Sequence, residues 1–124
     1  MDYDKETIAK LFSNGQFEAT FEYLTDNVIW VTIGENTITN KTALIEHCQK
    51  ITAYFESLET EFVTNDIITS ENTVVITGTA KFIKNGACVN IMSACDIYKF
   101  NNDHKMQSIT SYCISTSPQS HKVN

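Results

Sequence analysis

Three long strand-like runs, joined by tight turns, close the chain and constrain its fold more than anything else in it. Residues 73–84 (TVVITGTAKFIK), 88–100 and 105–116 are rich in β-branched and aromatic residues. Between them stand Asn85-Gly86 and Asn101-Asn102-Asp103-His104, with Glu71-Asn72 ahead of the first. Turn-forming residues between such runs are hairpin punctuation, so three consecutive antiparallel strands are predicted. One acid, Asp96, lies inside the middle run among apolar neighbours. A carboxylate buried without partners costs several kcal/mol, so its position raises the functional question.

The earlier part of the chain reads as helices and shorter strands. Asp4 can cap a helix over about 5–13, with Ile8, Leu11 and Phe12 on one face and Asn14-Gly15 as its stop. A second short helix, about 16–24, would bury Phe17, Phe21 and Leu24. Thr25-Asp26-Asn27 is predicted to turn into a strand at 28–33, followed by a bend and a brief strand at 37–39. Asn40 can cap a longer helix, about 41–57, with Leu44, Cys48, Ile51, Phe55 and Leu58 at three- and four-residue steps. A strand at about 60–69 then leads into the final three. Helices grouped early and antiparallel strands grouped late spell an α+β fold, with a curved sheet folded around the long helix and a cavity between them. Residues 1–116 are expected to form one domain and 117–124 a polar, frayed tail.

Charge narrows the partners. The formal charge is −6 and the isoelectric point is near 4.9, which disfavours nucleic acid and anionic membrane surfaces. All nine basic residues are lysine, so the fork-like group best suited to phosphate or carboxylate is missing. Cys48, Cys88, Cys95 and Cys113 show no metal-ligand spacing and are expected to be buried, reduced thiols. With a charged start lacking an apolar leader, and no membrane-length apolar run, a cytoplasmic protein is expected. No metal or cofactor is expected.

Several local signatures, in this order, resemble the SnoaL-like branch of the NTF2-like superfamily, the cystatin-like α+β cone that includes ketosteroid isomerases. They are Asn14-Gly15-Gln16-Phe17-Glu18, Leu24 to Trp30, Asn40 to Ile45, and Asp96-Ile97-Tyr98-Lys99-Phe100. The resemblance spans about residues 5–116. It implies a cone with two short N-terminal helices and a curved, mostly antiparallel sheet wrapped around the long helix. It also implies that Asp96 occupies the position of the isomerases' protonated, hydrogen-bond-donating acid. The general-base position of those enzymes falls on Thr32, their oxyanion tyrosine on Ile8, and its supporting tyrosine near Cys48. Steroid isomerisation by that route is therefore not expected. Epoxide hydrolysis of the family's type needs an arginine, and this chain has none.

Strand parity sketches the pocket. Trp30 and Thr32 share a face of the first long strand, and Ile109, Ser111 and Cys113 share one in the last. Met92, Ala94, Asp96 and Tyr98 alternate together. A plain two-residue turn at Asn85-Gly86 would pair Asp96 with Val75. A three-residue loop with a glycine bulge would instead set it with Ile76, Gly78, Ala80 and Phe82, and this register is preferred because it makes one coherent apolar face. Asp96 is then the candidate acid or base, against the alternative of a structural or solvent-facing carboxyl. His47 at the edge of the long helix could share its proton, although such a histidine is more often simply packed. Phe12, Trp30, Phe55, Phe82 and Tyr98 could wall a flat ligand or serve as plain core, with the Tyr98 hydroxyl the one most apt to meet a polar group. Thr32 and Ser111 could hydrogen-bond a ligand. His104 reads as a solvated turn residue, and His121 falls in the tail. Ile83, Val89, Ile91, Cys95 and Ile97 would share the outer sheet face, which suggests a homodimer.

Taken together, these features lead us to expect a small lipophilic molecule as the partner. Cofactor-free proton transfer on a carbonyl or polyketide-like compound and a purely ligand-binding or dimeric interaction role both remain open.

Overall fold

The computed structural model describes residues 3–116. The expected tail, with His121, lies outside the described residues. Two α-helices, a short 3₁₀ helix and one six-stranded sheet are formed by the described residues. Helix α1 spans Lys5–Ser13, and Asp4 caps it by accepting from the Thr7 amide at 2.8 Å. Its end is closed by the Gln16 amide donating to the Leu11 carbonyl at 2.9 Å. The second predicted helix is a 3₁₀ turn, Glu18–Tyr23, in which the Thr20 hydroxyl donates back to the Phe17 carbonyl. Such tighter helices run only a few residues, and this one buries Thr20 and Tyr23 while leaving Phe21 half-buried.

The strands are β1 Leu24–Thr32, β2 Asn36–Thr39, β3 Glu59–Ser70, β4 Thr73–Lys84, β5 Ala87–Phe100 and β6 Met106–Ser115. They lie in the order β2-β1-β6-β5-β4-β3, antiparallel throughout except where β1 runs parallel to β6. Thr25-Asp26-Asn27 is not a turn. It is an irregular stretch within β1, which pairs with β6 at Leu24 and again only at Ile29.

Helix α2, Lys41–Glu56, is capped by the Asn40 side chain accepting from the Ala43 amide at 2.9 Å. Leu44 and Cys48 are its fully buried anchors, whereas Ile51, Phe55 and Leu58 are half-buried. Packed with them against α1 and the sheet are Ile8, Val28, Val74, Met106 and Ile109. Each such side chain contributes about 1.5–3 kcal/mol on burial. This core occupies one end of the cone.

The β4–β5 hairpin settles the register in an unexpected way. Asn85 (φ 54°) and Gly86 (φ 80°) form a two-residue turn with both residues left-handed, and Lys84 pairs with Ala87. One step later a bulge falls between the pairs Ile83–Cys88 and Phe82–Asn90. Asp96 consequently pairs with Ile76, as preferred, but the extra residue lies at Val89 in the strand and not in the loop. Gly78, opposite Ala94, sits where β3 crosses closest: a Cβ there would stand 2.6 Å from the Val63 carbonyl oxygen. The β3 strand bulges at that point, between Thr64 and Asp66.

The outer sheet face carries Ile91, Cys95 and Ile97 of β5 at intermediate exposure, with Tyr112 and Ile114 of β6 beside Cys95 and Ser93. Cysteine burial is less complete than expected. Cys48 alone is fully buried among the four free thiols, because the other three lie on strands of an open sheet.

Candidate functional site

A cavity of about 360 Å³ lies between the inner face of the sheet, helix α2 and the end of α1. It exists because the middle of that face holds Gly78, Ala80 and Ala94, side chains too small to reach α2. Around this floor stand two aromatic groups. Phe12, Phe17, Trp30 and Tyr98 meet edge-on or tilted at the inner end, with Phe12 centred 5.1 Å from Trp30 and 6.0 Å from Tyr98. Tyr54, Phe55, Phe62 and Phe82 form the other group, where Phe55 stacks on Phe82 at 5.7 Å. Tyr54 is 52% exposed and marks the side that opens to solvent.

Asp96 lies in the wall at the inner end, with Ser111 as its β6 partner. Ser111 and Tyr98 both hydrogen-bond its carboxyl, and Ser13 at the end of α1 hydrogen-bonds the Tyr98 phenol. The Trp30 indole N–H in turn donates to Ser111 Oγ at 3.0 Å. Burial pushes the Asp96 pKa above the ordinary carboxylate value, and the Ser111 and Tyr98 hydrogen bonds oppose that shift. Tyr98 is wholly buried and its phenol is raised well above its usual value, first by burial and then by the neighbouring Asp96 charge. Burial, with smaller contributions from Asp96 and Glu35, pushes the Cys113 thiol up to about 11, so it is no thiolate nucleophile at neutral pH.

Of the residues singled out in the sequence, Phe12, Trp30, Phe55 and Phe82 line the cavity, as do Met92, Asp96, Tyr98, Ser111 and Cys113. Three do not. Ile109 faces inward but is packed into the core between Trp30 and Tyr98. Thr32 has the expected parity beside Ser111, yet lies near the end of β1 and outside the cavity wall. His47 sits over Trp30, ring centres 5.4 Å apart, and also contributes nothing to the wall. Its pKa is lowered, mainly by burial and further by Lys50, and the ring packs on Trp30 instead of joining Asp96 in the wall. His104 is exposed in its turn, as expected. Sequence reasoning missed Ser13, Phe17, Tyr54, Phe62 and Asn90. Phe62 pairs with Ala80, so strand parity carried its signal; Ser13 follows Phe12 at a helix end, where periodicity stops being informative. No group of three or more potential metal ligands occurs among the described residues.

This chain belongs to the SnoaL-like family, whose domain model matches residues 6–109. An NTF2-like protein of unknown function from Cytophaga hutchinsonii is 33% identical, with a TM-score of 0.78 over 87% of this chain and 94% of that one. An LEH-like epoxide hydrolase from M. tuberculosis shares the fold at 13% identity and TM-score 0.67, over 89% and 82% of the two chains. So does an epoxide hydrolase/cyclase-like enzyme of pyran ring formation in the polyether salinomycin, at 16% identity and TM-score 0.68, over 89% and 90%. No protein of curated function matches the sequence. Family and cone fold are thus as the sequence signatures implied. Among the described residues, no helix is long and apolar enough to cross a membrane.

Asp96 should be a liability for folding. Its pKa is near 3.8 when solvated and higher in the fold, so the unfolded chain releases this proton first as pH rises. Folding stability due to this group is therefore greatest below 3.8 and falls as pH climbs through the folded value. Asp96→Asn is expected to raise the melting temperature at neutral pH, with the gain shrinking toward about pH 4. Thermal denaturation of both proteins across pH checks this; a gain independent of pH would show that the carboxyl's charge is not what costs stability.

Proposed function

We propose that this SnoaL-like protein binds a small lipophilic molecule in the aromatic cavity and that Asp96 exchanges a proton with it. The observation that carries this reading is a single carboxyl group, the one acidic residue lining the cavity among the described residues, set among aromatic rings. A desolvated carboxyl with raised pKa is suited to proton transfer near neutral pH. Among the described residues no lysine or histidine lines the cavity, so they offer an anionic ligand no counter-charge. A neutral compound with an acidic C–H, such as a lipophilic ketone or a polyketide-like carbonyl, fits both the walls and the acid. Such chemistry uses no cofactor. Pyran ring formation by the epoxide hydrolase/cyclase-like enzyme of salinomycin, which shares this fold, is cyclase-type chemistry.

A second reading is favoured by one specific finding. The resemblance sets the isomerases' base and tyrosines at Thr32, Ile8 and near Cys48, and among the described residues no second carboxyl or histidine lines the cavity. That arrangement also suits a carrier or sensor that binds without turnover. Exchange of α-protons for deuterium in a panel of lipophilic ketones, followed by NMR, separates the two. Proton transfer predicts exchange that Asp96→Ala slows by about 10²–10⁴-fold. Exchange unaffected by Asp96→Ala would remove Asp96 from catalysis.

We also propose a homodimer through the outer sheet face and a cytoplasmic setting, with neither nucleic acid nor membrane as partner. Tyr112 (45% exposed) and Ile114 (66%) extend the half-buried stripe of Ile91, Cys95 and Ile97, an apolar face that a second copy would cover. The four free thiols and the charge of −6 support the remaining assignments. Light scattering is expected to give twice the chain mass of 14.0 kDa, and Tyr112→Glu to halve it. A monomeric wild type at micromolar concentration would contradict the dimer.

A further inference from the structure

Ser111 and Trp30 border the cavity, but their polar atoms are turned toward each other and toward Asp96. An indole N–H can only donate, and the Trp30 N–H is given to Ser111 Oγ at 3.0 Å. Ser111 is buried, with 3% of its surface exposed, and its one hydroxyl proton needs an acceptor. The Asp96 carboxyl, directly across the β5–β6 pair and hydrogen-bonded to it, is that acceptor. Were Asp96 instead to donate to Ser111, the serine proton would be left buried without the acceptor that Asp96 provides, which is unfavourable. The other side has the same polarity: Ser13 supports the Tyr98 phenol, and that phenol donates to Asp96.

We propose that Trp30 and Ser111 are positioning residues, forming a one-way chain of donors that ends on the Asp96 carboxyl and holds it as the proton acceptor of the cavity. Two donors, Ser111 and Tyr98, converge on the carboxyl, and each stabilises its charged form against the desolvation that opposes it. The carboxyl borders the ligand space and keeps lone pairs beyond those that Ser111 and Tyr98 take. In the first proton transfer Asp96 therefore takes a proton from the ligand's C–H, whose electron pair moves onto the adjacent carbonyl as an enolate. Asp96 returns the proton in the second. This polarity is the reverse of a pre-protonated acid donating to the carbonyl, the role that the family resemblance implied for this position.

The titratable groups facing Asp96 are few. Tyr98 lies on its own strand, Cys113 on β6, and Tyr54 of α2 across the cavity; α1, β1, β3 and β4 contribute no titratable side chain to the wall. The Asp96 titration thus reads this network with little interference.

The catalytic meaning of the chain rests on the proton-transfer reading above, but its test uses the ligand-free protein. Failure of one is therefore distinguishable from failure of the other. The experiment is carboxyl carbon NMR of Asp96 against pH in wild type, Trp30→Phe, Ser111→Ala and the double variant. Both single variants are expected to move the Asp96 midpoint upward. Because Trp30 acts through Ser111, the double variant should titrate like Ser111→Ala alone. Phenylalanine keeps one aromatic ring and removes the donor; the volume it gives up can only hydrate Asp96 and lower its midpoint, so a purely structural Trp30 would not raise it. An unmoved or lowered midpoint in Trp30→Phe, or shifts that add in the double variant, would overturn the proposal. Trp30→Phe reads the same bond from its far end, so it decides alone if Ser111→Ala does not fold.

Discussion

Gly78, Ala80 and Ala94 leave the centre of the inner sheet face without side-chain volume, and the cavity depends on that deficit. Protein interiors are normally close-packed, so a void of about 360 Å³ forfeits dispersion contacts along its whole lining. The core formed by Ile8, Leu44, Val28 and Met106 at the other end of the cone offsets that loss. Gly78 serves a second purpose, since the β3 backbone lies too close for any side chain there. The same residue therefore lets β3 pack against β4 and keeps the cavity floor low.

Asp96 adds a further cost to this weakened centre. Its carboxyl is desolvated in the wall, and what it recovers comes from Ser111, Tyr98 and, behind them, Trp30 and Ser13. A packed core with a leucine or valine here would be more stable on ordinary grounds. The proposed role of Asp96 rests on this combination of a desolvated carboxyl, a donor network around it and a ligand-sized space in front.

Much of the fold was legible because its determinants are local. Asp4 and Asn40 cap their helices through their own side chains, and Asn85-Gly86 supplies the two left-handed residues of a hairpin turn. Strand parity then placed Trp30, Met92, Asp96, Tyr98 and Ser111 on one face. What parity cannot give is position along a strand's length, which is why Thr32 and Ile109 were expected in the wall and are not. Nor could it locate the β5 bulge, since an extra residue in the loop or at Val89 yields the same downstream register. His47, more often simply packed in such a position, is packed here, and its partner could not be named for a related reason. Helical spacing shows which face a residue takes, whereas the ring it meets, Trp30, comes from a strand distant in sequence.

The space above Gly78, Ala80 and Ala94 is where we propose an apolar ligand binds. The most direct measurement is titration of a neutral fluorescent probe such as N-phenyl-1-naphthylamine into wild type and Ala94→Phe, with the fold of each checked by circular dichroism. The expected result is saturable binding of one probe per chain, weakened by roughly tenfold or more when the phenylalanine ring fills the floor. Equal binding by a folded Ala94→Phe protein, or none by wild type to this or any other neutral apolar probe, would contradict it.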